Sequence, residues 1–281
     1  MIAMVLAAVR MATPLYLAGL GGLFSERSGK ANIALEGMML SGAFACAVGT
    51  SHFHSPWIGL LAGGLGGLVL AGVHLAATVC FGVNALLSGV VMNLLAAAAT
   101  DFLFLSAADL PAARLSLSST SPIRSLSLSC LVLAGLSHLF FRKTVLGLRW
   151  RAVGQSPSGA RALGLSPRVY QSLGILASGL LAGLAGSFLA LQAGQFVRGM
   201  SAGRGFVALA ALILSNWRPL RLVAVCLILG GLSALSMRVD FLSLPSQLLE
   251  AAPYLITLLV MAGLALKSEP PSGLSEEEDL V

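Results

Sequence analysis

Long apolar runs separated by short polar links make up most of the chain. A helix needs about 20 apolar residues to cross a bilayer, and the runs are continuous, without the alternation typical of a membrane β-barrel. The pattern therefore predicts an all-α polytopic membrane protein with about nine transmembrane or partly spanning helices. The predicted segments are residues 3–24, 32–50, 57–80, 83–108, 126–141, 169–193, 205–217, 219–236 and 252–266.

Two of these segments are short for a complete crossing. They are residues 126–141 and 205–217, and each is interpreted as a half-helix or as a helix buried largely in protein. A re-entrant path is left open for 205–217 and also for 32–50, and it would change the number of crossings.

The link at residues 142–168 is long, polar and basic, with six Lys or Arg residues and no acid. The positive-inside rule places it in the cytoplasm, and counting segments back from it puts the N terminus outside. We expect a single transmembrane domain at residues 1–266, followed by an acidic, disordered cytoplasmic tail at residues 267–281.

Within the basic link, Pro157 and Gly164 are placed to begin and end a short helix. A short helix at the cytoplasmic surface suits docking into a groove of a partner protein. A basic loop that touches anionic lipid headgroups is the alternative. The residues by themselves favour neither interpretation.

The composition agrees with a membrane location, because 57% of the residues are hydrophobic and only 10% are charged. The net charge of +6 is attributed to cytoplasmic loops rather than to binding of nucleic acid. All four cysteines lie in apolar runs, so they are interpreted as buried apolar residues and not as metal ligands. No grouping of Ser, His or acidic residues predicts an enzyme site.

One charged stretch interrupts the apolar sequence near the N terminus: SERSGKANIALEG, residues 25–37. Glu26, Arg27 and Lys30 either form a plain turn between two spans or pair with other charges inside the membrane. Glu36 lies deeper, and a role in helix packing or in the transport path is favoured for it. Asn32 precedes Glu36 by four positions, which predicts that both share one helix face.

The letters SGKA in this stretch do not make a phosphate-binding loop. That motif needs a glycine where Phe24 stands and a Ser or Thr where Ala31 stands. The chain therefore carries no predicted nucleotide site, and no cofactor is expected. If transport uses ATP, the nucleotide is bound by another polypeptide.

The basic link also resembles a known family. LRWRAVGQSPSGARALGLSPRVYQ, residues 148–171, is similar to the cytoplasmic coupling segment of bacterial ABC importer permeases. The matching branch handles branched-chain amino acids, simple sugars and nucleosides, and the nucleoside-type subfamily is the most similar. The residues that match the family pattern R-A-V-G-x-x-P…G are Arg151, Ala152, Val153, Gly154, Pro157 and Gly164.

Three other stretches resemble the same family in the same order along the chain. They are residues 12–44, residues 82–103 and GMSAGRGFVALAALILSNWRP at 199–219. Leu165, where Ile is commoner, and Asp101 depart from the family pattern. The four stretches together cover about residues 12–219.

The resemblance implies a type II ABC importer-like permease that is not itself an enzyme. Its implied partners are a cytoplasmic ABC ATPase dimer, a second permease subunit in a heterodimer and an extracytoplasmic substrate-binding protein, at the bacterial inner membrane. The cargo is expected to be a nucleoside, with a simple sugar or a flavin-like vitamin as alternatives. The predicted substrate-pathway residues are Asn32, Glu36, Asn93, Arg204 and Phe206. The predicted ATPase-coupling residues are Arg151, Gly154, Pro157, Ala160 and Gly164.

Two alternative functions would each require a feature that the sequence does not show. An ion-coupled secondary transporter would use Glu36 and Asp101 as intramembrane acids, but it predicts an internal repeat that the sequence lacks. An intramembrane enzyme would need a cluster of convergent catalytic groups, which the sequence does not predict.

Overall fold

The computed structural model describes residues 2–106, 121–236, 255 and 270–274. In this part of the chain the regular structure is helical, and a π-helical turn at Ala76–Cys80 extends the third helix. The α-helices are α1 (Ile2–Glu26), α2 (Leu35–Phe53), α3 (Pro56–Leu75), α4 (Ala85–Ser106), α5 (Ser121–Lys143), α6 (Val145–Gln155), α7 (Pro157–Ala162), α8 (Pro167–Ala193), α9 (Arg204–Leu214) and α10 (Pro219–Ser236).

The described helices confirm the predicted all-α membrane architecture. Five of them, α1, α3, α4, α5 and α8, are long and apolar enough to cross a membrane. The segment predicted at 205–217 is indeed short, since α9 has 11 residues. The prediction of a short helix at 126–141 was wrong, because α5 has 23 residues. Its first turns are rich in serine, and those hydroxyls bond to carbonyls of their own helix, so they do not end it.

The predicted segment at 252–266 lies outside the described residues, apart from Leu255. The acidic run of the tail, residues 276–279, also lies outside them.

Helix α8 forms the centre of the bundle, and α1, α2 and α3 pack around it. Its glycines allow this close approach. A Cβ at Gly186 would overlap the carbonyl oxygen of Met39 in α2, and one at Gly183 would overlap that of Gly63 in α3. Lipid provides no hydrophobic drive between helices, so association depends on such close van der Waals contact between small residues.

Helices α1 and α10 pack along each other in opposite directions. Gly19 of α1 faces Leu222 near the start of α10, whereas Gly230 near its end faces Ala12. Helix α9 begins inside the bundle and also contacts α1. Because α9 has 11 residues and a helix rises about 1.5 Å per residue, it covers only about half of the membrane thickness.

Helices α6 and α7 lie together at one end of the bundle, which we name the basic end. Thr144 caps α6 by accepting a hydrogen bond from the Gly147 N–H, and Ser156 caps α7 in the same way at Gly159. Pro157 occupies the first position of α7, and Gly164 follows the helix with a φ of 78°. The sequence therefore predicted the start and the end of α7.

A prediction tests the packing of α8. Replacement of Gly186 by Ala should destabilise the protein by roughly 1–3 kcal/mol, because α2 must move away from α8. Gly72→Ala in α3 is the matched control, since no described atom beyond the backbone of its own helical turns lies within 4 Å of the Cβ that it adds. Thermal unfolding in detergent measures both variants, and equal melting temperatures would contradict the packing argument.

Candidate functional site

A carboxylate from α2 holds the beginning of α9. The two oxygens of Glu36 accept hydrogen bonds from the backbone N–H groups of Gly203, at 2.7 Å, and Gly205, at 2.6 Å. The first N–H groups of a helix have no partner within that helix, and its N terminus favours negative charge. Gly203 provides no side chain for a local cap, so Glu36 performs this role from another helix.

The close approach requires glycine at position 205. A Cβ there would lie 2.6 Å from the Glu36 Cα and 2.8 Å from its Oε2. Gly203 has a φ of 78°, a conformation that side-chain-bearing residues rarely adopt. Two glycines of the GMSAGRGF stretch, Gly203 and Gly205, are therefore needed for this clamp, which we define as Glu36, Gly203 and Gly205.

Asn32 and Asn93 hold the start of α2, which begins at Leu35. Asn32 is fully buried; its Oδ1 accepts from the Ala34 N–H and its Nδ2 donates to Ser178 of α8 at 2.7 Å. Asn93 of α4 accepts from the Gly37 N–H at 2.7 Å and donates to the Ile33 carbonyl.

The prediction that Asn32 and Glu36 share a helix face was wrong, because Asn32 precedes the helix and accepts from the Ala34 N–H just before it. Asn84 precedes α4 and accepts from the N–H groups of Leu86 and Leu87. In the described structure the side-chain amides of Asn32 and Asn93 are hydrogen-bonded to other groups of the protein.

Arg204 and Phe206 follow the clamp in the first turn of α9. The guanidinium of Arg204 reaches back to the Met200 carbonyl at 2.9 Å and so fastens the turn before the helix. Phe206 is 48% exposed. Of the five predicted pathway residues, Phe206 presents the largest apolar surface beside the clamp.

Two charged residues of the stretch at 25–37, Glu26 and Arg27, lie at the basic end. Glu26 is buried and its carboxylate accepts a hydrogen bond from the Trp217 indole, just after α9. The guanidinium of Arg27 lies over the Phe141 ring, 5.0 Å from its centroid. Burial, together with the charges of Arg151 and Arg218, lowers the pKa of Arg27 to about 10. Arg27 therefore carries its charge at neutral pH in a crowded positive region.

The predicted coupling residues divide into buried and accessible positions. Gly154 and Ala160 are buried, and a Cβ at Gly154 would overlap the Arg27 carbonyl. Arg151 and Pro157 are half-buried, whereas Gly164 is exposed. The predicted set therefore mixes residues that anchor α6 to the bundle with one that a partner can reach.

Residues that the sequence analysis missed complete this end. Trp150 of α6 donates to the Phe24 carbonyl of α1 at 2.9 Å, which fixes α6 to the membrane helices. Leu163, after α7, is 79% exposed. We name residues 161–164 the tip, because all four are exposed. An exposed leucine within a polar loop is the signal that could have indicated a docking residue.

Comparison with protein families identifies the chain. Residues 4–264 match the family described as the branched-chain amino acid transport system / permease component. The chain belongs to this family. It is a permease subunit of an ABC transporter and a multi-pass membrane protein, and not an enzyme.

Curated relatives cover nearly the whole permease. The guanosine ABC transporter permease protein NupQ of Bacillus subtilis is 32% identical, over 92% of this chain and 91% of NupQ. The nucleoside ABC transporter permease protein NupC of Lactococcus lactis is 33% identical, over 89% and 88%. A proposed glucose ABC transporter permease of Haloferax volcanii, TsgC13, is 32% identical, over 94% and 92%. The search of solved structures found no significant match.

A second prediction concerns the clamp of the permease. Glu36→Gln keeps the size of the side chain but replaces one accepting oxygen by an NH2 group that faces an N–H donor. We expect a loss of roughly 1.5–3 kcal/mol, the range for hydrogen bonds to charged groups, measured as a lower unfolding temperature in detergent.

The control for this change is Asp101→Asn, which neutralises a half-buried carboxylate of α4. It should leave the unfolding temperature nearly unchanged. If the two variants lose the same stability, the clamp is not the reason for the charge at position 36.

Proposed function

We propose that this permease forms the translocation path of an ATP-driven importer for nucleosides. The observation that carries the proposal is similarity along nearly the whole chain to two permeases named for guanosine and nucleoside transport. A sugar is the second candidate cargo, because TsgC13 is named for glucose.

ABC permeases work with ATPase and substrate-binding partners. We assign ATP binding to a separate cytoplasmic ATPase dimer, and we place the chain in the bacterial cytoplasmic membrane with a second, different permease subunit. The basic end would then face the cytoplasm, which agrees with the positive-inside rule. The exposed tip would enter the ATPase, while Trp150 would transmit its movement to α1.

The geometry refines the proposed pathway. Asn32 and Asn93 would act by holding α2, because their amides are bonded to protein groups. Glu36 would act by holding α9 at its N terminus. Arg204 and Phe206 would lie nearest to the cargo, and the exposed ring of Phe206 offers a surface on which a nucleobase can stack.

Reconstitution tests the function and the cargo together. The permease, co-expressed with the proteins encoded beside it, is purified in mild detergent, and the associated chains are identified by mass spectrometry. The complex is then assayed in proteoliposomes for ATP-dependent uptake of labelled guanosine, with unlabelled uridine and glucose as competitors. Competition by uridine but not by glucose supports a nucleoside importer. Competition by glucose alone would replace the nucleoside by a sugar.

A third prediction tests the tip. Leu163→Asp should abolish most of the recovery of the ATPase with the permease, because a charge would enter an apolar contact. Leu163→Met is the matched control, since it conserves the volume and the apolar character. Normal recovery of the ATPase with the Asp variant would show that docking does not use Leu163.

A further inference from the structure

A segment of the C-terminal tail lies against the junction of α6 and α7. The Ser272 hydroxyl donates to the backbone carbonyl of Gln155 at 2.6 Å and lies 3.0 Å from the Oε1 of the same residue. Gly273 is buried, and a Cβ there would lie 2.7 Å from the Gly154 carbonyl oxygen and 3.0 Å from the Pro157 Cδ. The tail therefore fits closely over the bend between the two helices.

The Gln155 carbonyl needs a donor from outside the two helices. In a continuous helix it would accept from the N–H of residue 159. Here the Gly159 N–H bonds to the Ser156 hydroxyl instead, and Pro157 has no N–H to offer. Ser272 supplies the missing donor, so the contact satisfies a carbonyl at a helix end.

We propose that residues 270–274 are a brace that fixes α7 relative to α6 and so positions the tip for the ATPase. The inference rests on the proposed docking of the ATPase at the tip. The brace holds the first turn of α7, whereas the tip comprises the last two residues of α7 and the two that follow, where Leu163 is 79% exposed and Gly164 has open space around it. The brace thus leaves the tip uncovered, and the tail and the ATPase can be bound at the same time.

A cross-link tests the contact without any partner protein. Ser272→Cys is combined with Gln155→Cys, in a Cys80→Ser background because Cys80 is exposed and Cys46, Cys130 and Cys226 are buried. Mild oxidation of native membranes should join the pair, detected as linked peptides by mass spectrometry.

The matched control pairs Ser272→Cys with Thr144→Cys, at the opposite end of α6 and about 16 Å away along that helix. Linkage of the first pair in clear excess over the control supports the brace. Equal linkage of both pairs, or linkage of neither, overturns it.

Two truncations then test the effect on docking. Deletion of 275–281 removes the acidic run and keeps the brace, whereas deletion of 270–281 removes both. Each truncated permease is co-expressed with the ATPase, and the ATPase recovered per permease is measured. We expect the longer deletion to lower this recovery roughly fivefold relative to the shorter one, about the effect of one lost hydrogen bond.

Substitutions at position 272 check the mechanism within the complete chain. Ser272→Ala should resemble the longer deletion, and Ser272→Thr should restore recovery of the ATPase because it keeps the hydroxyl. Equal recovery with both deletions, or higher recovery with the longer one, overturns the positioning role. If even the full chain recovers no ATPase, the proposed function itself fails, while the cross-link still reports whether the brace exists.

Discussion

Among the described helices of this permease, α2 and α9 begin inside the bundle, and the need to satisfy their first N–H groups constrains the rest of the structure. Such groups are costly where no water reaches them. For α2 the acceptor comes from Asn93, while Asn32 accepts from the Ala34 N–H just before the helix; for α9 the acceptors come from Glu36. This constraint explains why a chain so poor in charge keeps a carboxylate at position 36. It also explains Gly205, which leaves space for that carboxylate, and Gly203, which adopts a positive φ at the start of α9.

A continuous set of contacts joins the clamp to the basic end. Helix α9 runs from the clamp to Leu214, and Trp217, three residues further along, donates its indole N–H to Glu26 at the end of α1. Two residues earlier, the Phe24 carbonyl accepts from Trp150 of α6. A displacement of α6 therefore acts on the end of α1, which is also tied to the end of α9. These contacts give a physical route between an ATPase at the tip and the membrane interior, and coupling measurements would establish its use.

The sequence predicted the helical class, the short α9 and the limits of α7, because apolar run length, proline and glycine are local signals. It did not predict where α2 begins, since the residues that cap it include one from α4, 56 positions beyond Gly37. The predicted length of α5 was also wrong. Its serines are polar residues that interrupt the apolar pattern, but their hydroxyls bond to carbonyls of the same helix. The coupling residues were predicted by resemblance, and the burial of Gly154 depends on contacts with Arg27 and with the tail that no local pattern contains.

Gly154 illustrates why packing and docking must be separated at the basic end. A side chain there would meet the Arg27 carbonyl on one side, and Gly273 of the tail already covers its own carbonyl on the other. A larger residue at 154 would thus push against the turn after α1, at Arg27 and Gly29, while its carbonyl lies against the brace. The same turn leads within three residues from Gly29, which faces Gly154, to Asn32 and the start of α2. The charged stretch at residues 25–37 therefore links the bend between α6 and α7 to α2, the helix that carries Glu36.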